Sequence, residues 1–577
     1  MGLALNQRSA SFLAVIVWVC FLSRAVFYSS MMPVWEGYDE SSHFDFVDYL
    51  AREHRLPDVR NATGSRAVAD SVQLAPVPWT NRAESPTEIP HDEFWKLPEP
   101  ARLARDRALM AIRTDGPRDP GMPGRPLYEA QQPPLAYIVF LPVLLVFRHA
   151  SLLTQAWALR IAGSLLASLV IPLGYFTGRK VFGNDWQGVG VAALVCAMPE
   201  LMILTTHAGN EPLALAAGSA CIYCLIRFVE FKRAEFKRPV REAAILGVVL
   251  GLALLTKAYF LILIPSVFAV CGWMWLRDRA RRPAVARQFA IIIGFTVLIA
   301  GWWYGRTLVT TGTITGQVTD VGAQQSNVSL LQAVARMRWL DAADFALTTH
   351  VWLGGWSFLV LRGWMYHLAG MVLVAAFIGM PIVAIRKRTP GLLITGAIAG
   401  SFWIVPAYHA LEGFRINGRS ETMGYYAYCV VIAEAVCLVA GIGALLPKSG
   451  SRFSVPVLVT LFAAIDIYGS VFLLMPYYAG LIVHSPRGSV PALHLGQLAS
   501  GGIDRLFGNL AIAKPWFLPP PALVMLFTCY FGATCGLIFI GFLSAAGSRI
   551  ATAPLRVHDP SVEENPGRVA ARERERN

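Results

Sequence analysis

The chain has 577 residues, 55% of them hydrophobic and only 15% charged, with a mean hydropathy of +0.49. A soluble protein carries about a quarter charged residues, so this composition excludes an ordinary soluble enzyme. The net charge of +13 does not point to nucleic acid, because Lys and Arg gather in short tracts between apolar runs, as in cytoplasmic loops of membrane proteins.

In chain order, apolar runs occur near residues 11–32, 157–178, 187–206, 212–231, 242–256, 258–276, 288–308, 368–385, 391–411, 423–446, 454–475 and 521–546. A hydrocarbon core takes roughly 20 helical residues to cross. A shorter run, 134–147, has Pro142 inside it and reads as a re-entrant or interfacial helix. The expected fold is an all-α polytopic membrane protein with 12 spans, or 13 if 134–147 crosses. The run at 11–32 reads as the first span rather than a cleaved signal, since it contains Arg24 and no small-residue cleavage site follows.

Basic tracts orient the spans. Arg179-Lys180, residues 227–241, residues 277–287, Arg386-Lys387-Arg388, Lys448 with Arg452, and the tail from Arg549 fall at alternate connections. Both termini are therefore expected to be cytoplasmic, and the long connections 33–156, 309–367 and 476–520 extracytoplasmic. Short amphipathic helices are expected within these loops at 98–113 and 330–345. The division expected is a transmembrane module at 1–310 that includes the first outer loop, a second at 311–546, and a disordered cytoplasmic tail at 547–577. All nine Cys lie in apolar runs, so no disulfide is expected in the outer loops, and Cys221 and Cys224 read as packing residues.

Polar residues that could do chemistry collect at outer membrane edges. Tyr38-Asp39-Glu40-Ser41-Ser42-His43 opens the first outer loop, and Tyr128-Glu129-Ala130-Gln131-Gln132-Pro133-Pro134-Leu135 closes it. His207-Ala208-Gly209-Asn210-Glu211 sits at the next outer edge, Lys257 at the tip of a helical hairpin, and Arg306 beside Trp302 and Trp303. Each has a plain alternative: Asp39 and Glu40 as a helix N-terminus, the prolines as a rigid connector, Lys257 as a snorkelling side chain, and Arg306 as an interface anchor. Their shared face suggests a lipid-linked reaction. A phosphate leaving group needs no general acid, Lys257 and Arg306 can stabilise its charge, and a carboxylate can deprotonate an acceptor hydroxyl.

Four of these stretches resemble motifs of the GT-C superfamily of integral-membrane glycosyltransferases, which includes protein O-mannosyltransferases and aminoarabinose transferases. Tyr38 to His43 looks like the acidic first-loop motif, and Glu129 to Leu135 looks like the H/Q-P-P-L element. Gly209 to Leu213 looks like the acidic second-loop motif, and Gly251 to Lys257 like the glycine-to-lysine run of bacterial members. The resemblance covers roughly residues 11–310. It implies a bacterial inner or plasma membrane enzyme that transfers a sugar, with inversion, from a polyprenyl-phosphate donor to an extracytoplasmic acceptor. Asp39 would be the base and Glu40 the fallback. His43, Tyr128, Glu129, Gln132, Asn210, Glu211 and Arg419 would be candidate substrate contacts. Asn417-Gly418-Arg419 keeps the Gly-Arg of a late family motif but not its Tyr or Pro. Asn210-Glu211 is less acidic than in metal-dependent members, so no divalent metal or other cofactor is expected. The rival expectation is a transporter or lipid flippase, which would use Glu200, Glu434 and Asp466 within the spans.

Overall fold

The computed structural model describes residues 7–83, 87–115, 122, 125–229, 239–387, 389–447, 450–498 and 501–552. Of the tail expected to be disordered, residues 547–552 instead continue the helix Pro520–Thr552, while 553–577 and the orienting residues Lys232, Arg233, Lys237, Arg238, Arg388 and Lys448 lie outside the described residues.

The molecule is built from α-helices. Ten of those described are long and apolar enough to cross a membrane, and Asp185–Ala197 with Pro199–Thr205, bent by 67° at their junction, would make an eleventh. The run expected at 242–256 forms Pro239–Leu254, whose 16 residues do not reach a full crossing length. Leu135–Val146 has only 12 residues. At a rise of 1.5 Å per residue this is about 18 Å, against a hydrocarbon core of about 30 Å.

Lipid offers no water to satisfy polar groups, so charges inside the bundle must be paired. Arg24, in the first helix Gln7–Met31, lies 3.0 Å from Asp466, and both are fully buried. Asp466 also accepts from the Tyr28 hydroxyl at 2.7 Å and the Tyr530 hydroxyl at 2.6 Å. One carboxylate thus ties together the helices Gln7–Met31, Ser454–Ile467 and Pro520–Thr552. This contact joins a helix near the N-terminus to two helices near the C-terminus.

Small residues bring other helices together, as membrane packing favours. In Pro239–Leu254, a Cβ at Gly247 would lie 2.6 Å from the Ile292 carbonyl oxygen, and one at Gly251 would lie 2.8 Å from Ile299 Cβ. The glycine of the expected glycine-to-lysine run therefore serves helix packing against Arg282–Thr311, and this packing sets the depth of Lys257. The 67° bend falls at Pro199, which has no N–H to continue the helix and disfavours helical geometry at Met198. Beyond the bend, Glu200 accepts from the Tyr38 hydroxyl and from the Leu353 amide at 2.7 Å.

The long connections form a layer at one end of the bundle. The first contains helices Glu40–Glu53, Arg66–Leu74 and Glu99–Ala111, with a two-stranded parallel pairing of Pro76–Val77 and Ile89–Pro90. Glu99–Ala111 lies within the stretch expected to be amphipathic. The second expected stretch forms Leu330–Arg336, capped by Ser329 and Gln332, and Trp339–Val351. Ser357 N donates to Glu36 Oε1 at 2.6 Å, and His484 Nδ1 lies 3.0 Å from Asp92 Oδ2. Ala513 N donates to Asp106 Oδ1 at 2.8 Å. These contacts place the three connections on the same side of the bundle. Single cysteines at the exposed positions Gln324 and Ser489 should label from one side of sealed vesicles, and one at exposed Ala280 from the other. Labelling of Gln324 and Ser489 from opposite sides would break the orientation scheme.

Candidate active site

The site begins where the first helix ends. Its last carbonyls need donors, and Arg160, from helix Leu152–Ala167, supplies them. The guanidinium donates to Ser29 O at 3.1 Å, Met32 O at 2.8 Å and Pro33 O at 2.7 Å. Its remaining edge forms a fork with Glu40, both contacts at 2.6 Å. Lys514 Nζ adds bonds to Met31 O at 2.8 Å and Met32 O at 2.6 Å.

Glu40 is fully occupied by this role. Its two oxygens also accept from Trp35 N at 3.0 Å and Ala208 N at 2.9 Å. Burial pushes its carboxyl up, but Arg160 overrides this and holds it below the usual range. The expectation of Glu40 as fallback base is corrected: its lone pairs are taken and it faces buried protein. It is a clip that joins the first and second outer motifs.

Asp39, one residue earlier, is in the opposite situation. Its backbone is left-handed, φ 51°, a conformation Asp tolerates better than most residues. It stands at the N-cap of Glu40–Glu53, yet its side chain makes no capping bond. The plain helix-cap alternative therefore fails. Asp39 is exposed while the neighbours Glu40, His43 and Glu129 are buried. It is an open carboxylate with protein close around it. Loss of hydration and the negative charge of Glu211 push it up to about 6, against the pull of His207 and Lys257.

Around it stand the groups from the other motifs. Lys257 Nζ donates to Glu211 Oε1 at 2.5 Å and lies 5.3 Å from the Tyr259 ring centroid and 5.8 Å from that of Tyr426. Glu211 Oε2 lies 3.3 Å from His207 Nε2 and 4.0 Å from His43 Nε2. A Cβ at Gly209 would fall 2.6 Å from Glu211 Oε2 and 2.7 Å from His207 Nε2, so the glycine leaves room for these two side-chain ends to meet. His43 Nδ1 pairs with the Tyr137 hydroxyl at 2.9 Å, and burial pushes the imidazole down to about 3, leaving it neutral. Asn210 Nδ2 contacts Gln132 Oε1 at 3.4 Å. The proline element is anchored on both sides: Leu135 N donates to Leu255 O at 3.0 Å, and Val318 N to Gln131 Oε1 at 2.6 Å. Tyr128 is half exposed nearby, its hydroxyl pushed up to about 12 by burial and by Glu129 and Asp39.

Two expected residues stand apart. Arg306 Nη2 donates to Pro57 O at 3.0 Å, and its guanidinium lies 5.2 Å from the Trp303 ring centroid. It braces the first loop and does not join Lys257. Arg419 is exposed, in the turn after helix Ile404–Asn417, and its backbone N–H bonds to Asn417 Oδ1 at 2.9 Å. Arg160, Tyr137, Tyr259 and Tyr426 had no role assigned from the sequence, and His207 was marked only by its place beside Asn210 and Glu211. Arg160 was detectable as a charge inside an apolar run, the signal that exposed Lys257. The aromatic residues carry no such mark.

Beside Lys257, a cavity of about 310 Å³ runs between Tyr259 with Ile262, Gln317 with Asp320, and Ile404 with His409. Its sides are largely apolar, with polar groups on the 315–320 loop. Among the described residues, no group of three or more His, Cys, Asp or Glu is arranged to hold a metal ion. The carboxylates that favoured a transporter have structural partners: Asp466 with Arg24, Glu434 with His350 at 2.8 Å, and Glu200 with Tyr38.

Residues 149–310 match the family model of the dolichyl-phosphate-mannose-protein mannosyltransferases. The matched segment is less than a third of the chain. It carries Arg160, His207, Glu211 and Lys257, so the family match and the clustered residues coincide in space as well as in sequence. The protein is a membrane-embedded glycosyltransferase. No curated protein matches the chain. Among solved structures, ArnT from Cupriavidus metallidurans bound to undecaprenyl phosphate aligns at 14% identity over 93% of this chain and 78% of that one, with a TM-score of 0.44. The apo oligosaccharyltransferase of Archaeoglobus fulgidus aligns at 11% identity over 93% of this chain and 56% of that one, TM-score 0.41. The arabinosyltransferase EmbB of Mycobacterium smegmatis aligns at 11% identity over 94% and 41%, TM-score 0.38. Similarities of this strength carry no conclusion about the site.

Arg160→Met should leave the Glu40 carboxylate buried and unpaired and cost about 3–5 kcal/mol. The loss should appear in thermal unfolding of the detergent-solubilised protein. Adding Glu40→Gln should recover part of it, because the stranded charge is then gone.

Proposed function

We propose that this enzyme transfers a sugar from a polyprenyl-phosphate donor to an acceptor hydroxyl on the extracytoplasmic face of a bacterial inner or plasma membrane, with inversion at the sugar carbon. The observation that carries this reading is one open carboxylate, Asp39, close to a buried Lys257 whose chain neighbours Ala258 and Tyr259 line an apolar cavity. The three features match the three parts of such a reaction.

Asp39 accepts the proton of the acceptor hydroxyl as its oxygen attacks the sugar carbon. The bond from that carbon to the phosphate oxygen breaks on the opposite side, and the polyprenyl phosphate departs as a weak base that needs no proton. An ammonium group has three donors, and Lys257 uses one on Glu211. The other two are available to the phosphate, where charge builds as the bond breaks. The cavity lined by Tyr259, Ile262 and Ile404 suits the first isoprene units. Arg306 is left out of the donor site, and Glu40 out of the chemistry.

Asp39→Asn should keep the size of the side chain and lower transfer by about 10²-fold or more, the usual contribution of a positioned base, with polyprenyl-phosphate binding retained. Full activity of this variant would remove the mechanism. Since the Asp39 carboxyl is pushed up to about 6, it is protonated and inactive below that pH and ionised above it. Transfer should therefore rise with pH through about 6, and Asp39→Asn should lose that limb. Lys257→Met should weaken polyprenyl-phosphate binding, measured by titration into detergent-solubilised protein. Unchanged affinity would dissociate Lys257 from the donor.

A further inference from the structure

Three carboxylates, Asp39, Glu129 and Glu211, lie close together at the site, and the charges available to them do not balance. Glu211 has Lys257 at 2.5 Å. Asp39 has solvent. Glu129 has neither. It lies in the short turn Tyr128–Gln131, 2% exposed, and its Oε2 has no hydrogen-bond partner. Its one side-chain bond is with Gln132. The nearest ring nitrogen is His43 Nδ1, 3.8 Å from Oε2, but that nitrogen is engaged with the Tyr137 hydroxyl. The other titratable or polar groups turned towards this corner are Asp39 and His43 from the first motif, Tyr128 next to Glu129 in the chain, Tyr137 from helix Leu135–Val146, His207, Asn210 and Glu211 from the second motif, and Lys257.

An ionised carboxylate in that position would be buried beside two other carboxylates without a cation of its own. Burial without a partner costs a charge far more than it costs a neutral group. When two acids share one region, the more buried one keeps the proton.

We infer that Glu129 stands as a neutral carboxylic acid in the working enzyme, so that a donor carrying a phosphate meets one mobile negative charge at Asp39 and an O–H donor at Glu129. Burial and the charges of Asp39 and Glu211 push this carboxyl well above the ordinary range, in agreement with the geometry. The inference rests on the donor reading given above. No net proton moves through Glu129: it keeps its proton while Asp39 accepts one from the acceptor. Its effect is on donor entry. Proton binding at Glu129 and phosphate binding favour each other, and by linkage each strengthens the other equally.

Two measurements test this. In infrared spectra of the ligand-free protein at neutral pH, Glu129→Gln should remove a protonated-carboxyl stretching band. Loss of an ionised-carboxylate band instead would overturn the inference. Glu129→Asp keeps the acid and should move the same band, so a poorly folded Gln variant does not block the result. In titrations with a sugar-free polyprenyl phosphate in nanodiscs, wild-type affinity should fall by about tenfold or more as pH rises and Glu129 ionises. Glu129→Gln, which mimics the protonated acid, should bind as wild type does at neutral pH and lose that alkaline fall. A Gln variant that binds much more weakly at neutral pH would make Glu129 an ionised ligand and overturn the proposal. If wild type binds no polyprenyl phosphate at any pH, the donor reading falls, while the infrared band still decides the protonation of Glu129.

Discussion

The Arg160–Glu40 pair is the contact on which the rest of the site depends. It lies where the first helix stops and the chain turns into a long irregular loop at the membrane surface. One guanidinium satisfies the helix-end carbonyls of Ser29, Met32 and Pro33, and its fork holds the carboxylate that receives Trp35 N and Ala208 N. The first motif is thereby fixed against the second. A buried pair of this kind contributes little net stability compared with apolar packing, but breaking it is expensive. Its value is positional: with Glu40 clamped, Asp39 is forced outward in a left-handed conformation and cannot fold back to cap its own helix.

Adjacent carboxylates thus have opposite fates. Asp39 and Glu40 differ by one methylene and one position. One is buried in a fork and held ionised by Arg160; the other is open and shifted towards neutrality by loss of hydration and then by Glu211. Environment rather than residue type separates clip from base. The same logic separates Glu211, matched by Lys257, from Glu129, which has no cation. A set of carboxyls pushed in different directions by their surroundings is how one fold places proton acceptor and neutral donor side by side.

The bundle below serves the site by fixing depth. Gly247 and Gly251 let Pro239–Leu254 approach Arg282–Thr311 closely, which sets where Lys257 emerges. The bend at Pro199 sends Glu200 to Tyr38, and Asp466, paired with Arg24 and bonded to Tyr530, ties the first and last helices together. The carboxylates inside the bundle are spent on these joints, which separates this molecule from a carrier that must leave such groups free for its cargo.

The sequence by itself determined what depends on local pattern. Apolar runs of spanning length declare a helical membrane protein, and the basic tracts imply that three long connections share a face, where their mutual contacts place them. Charges at membrane edges marked Asp39, Glu129, Glu211 and Lys257, because an unneeded charge at that depth is costly. The count of spans was less secure: Pro239–Leu254 is short and the 185–205 run is bent, and hydropathy measures composition rather than straightness. What only the tertiary structure decided was partnership. Glu40 stood as the fallback base until Arg160, 120 residues away, was found to occupy it. Arg306 looked like a companion of Lys257 until it was found on Pro57, and the aromatic floor of Tyr259 and Tyr426 had no mark in the sequence at all. Ion pairing and desolvation act through space, and a linear pattern records which groups are present but not which of them is left without a partner.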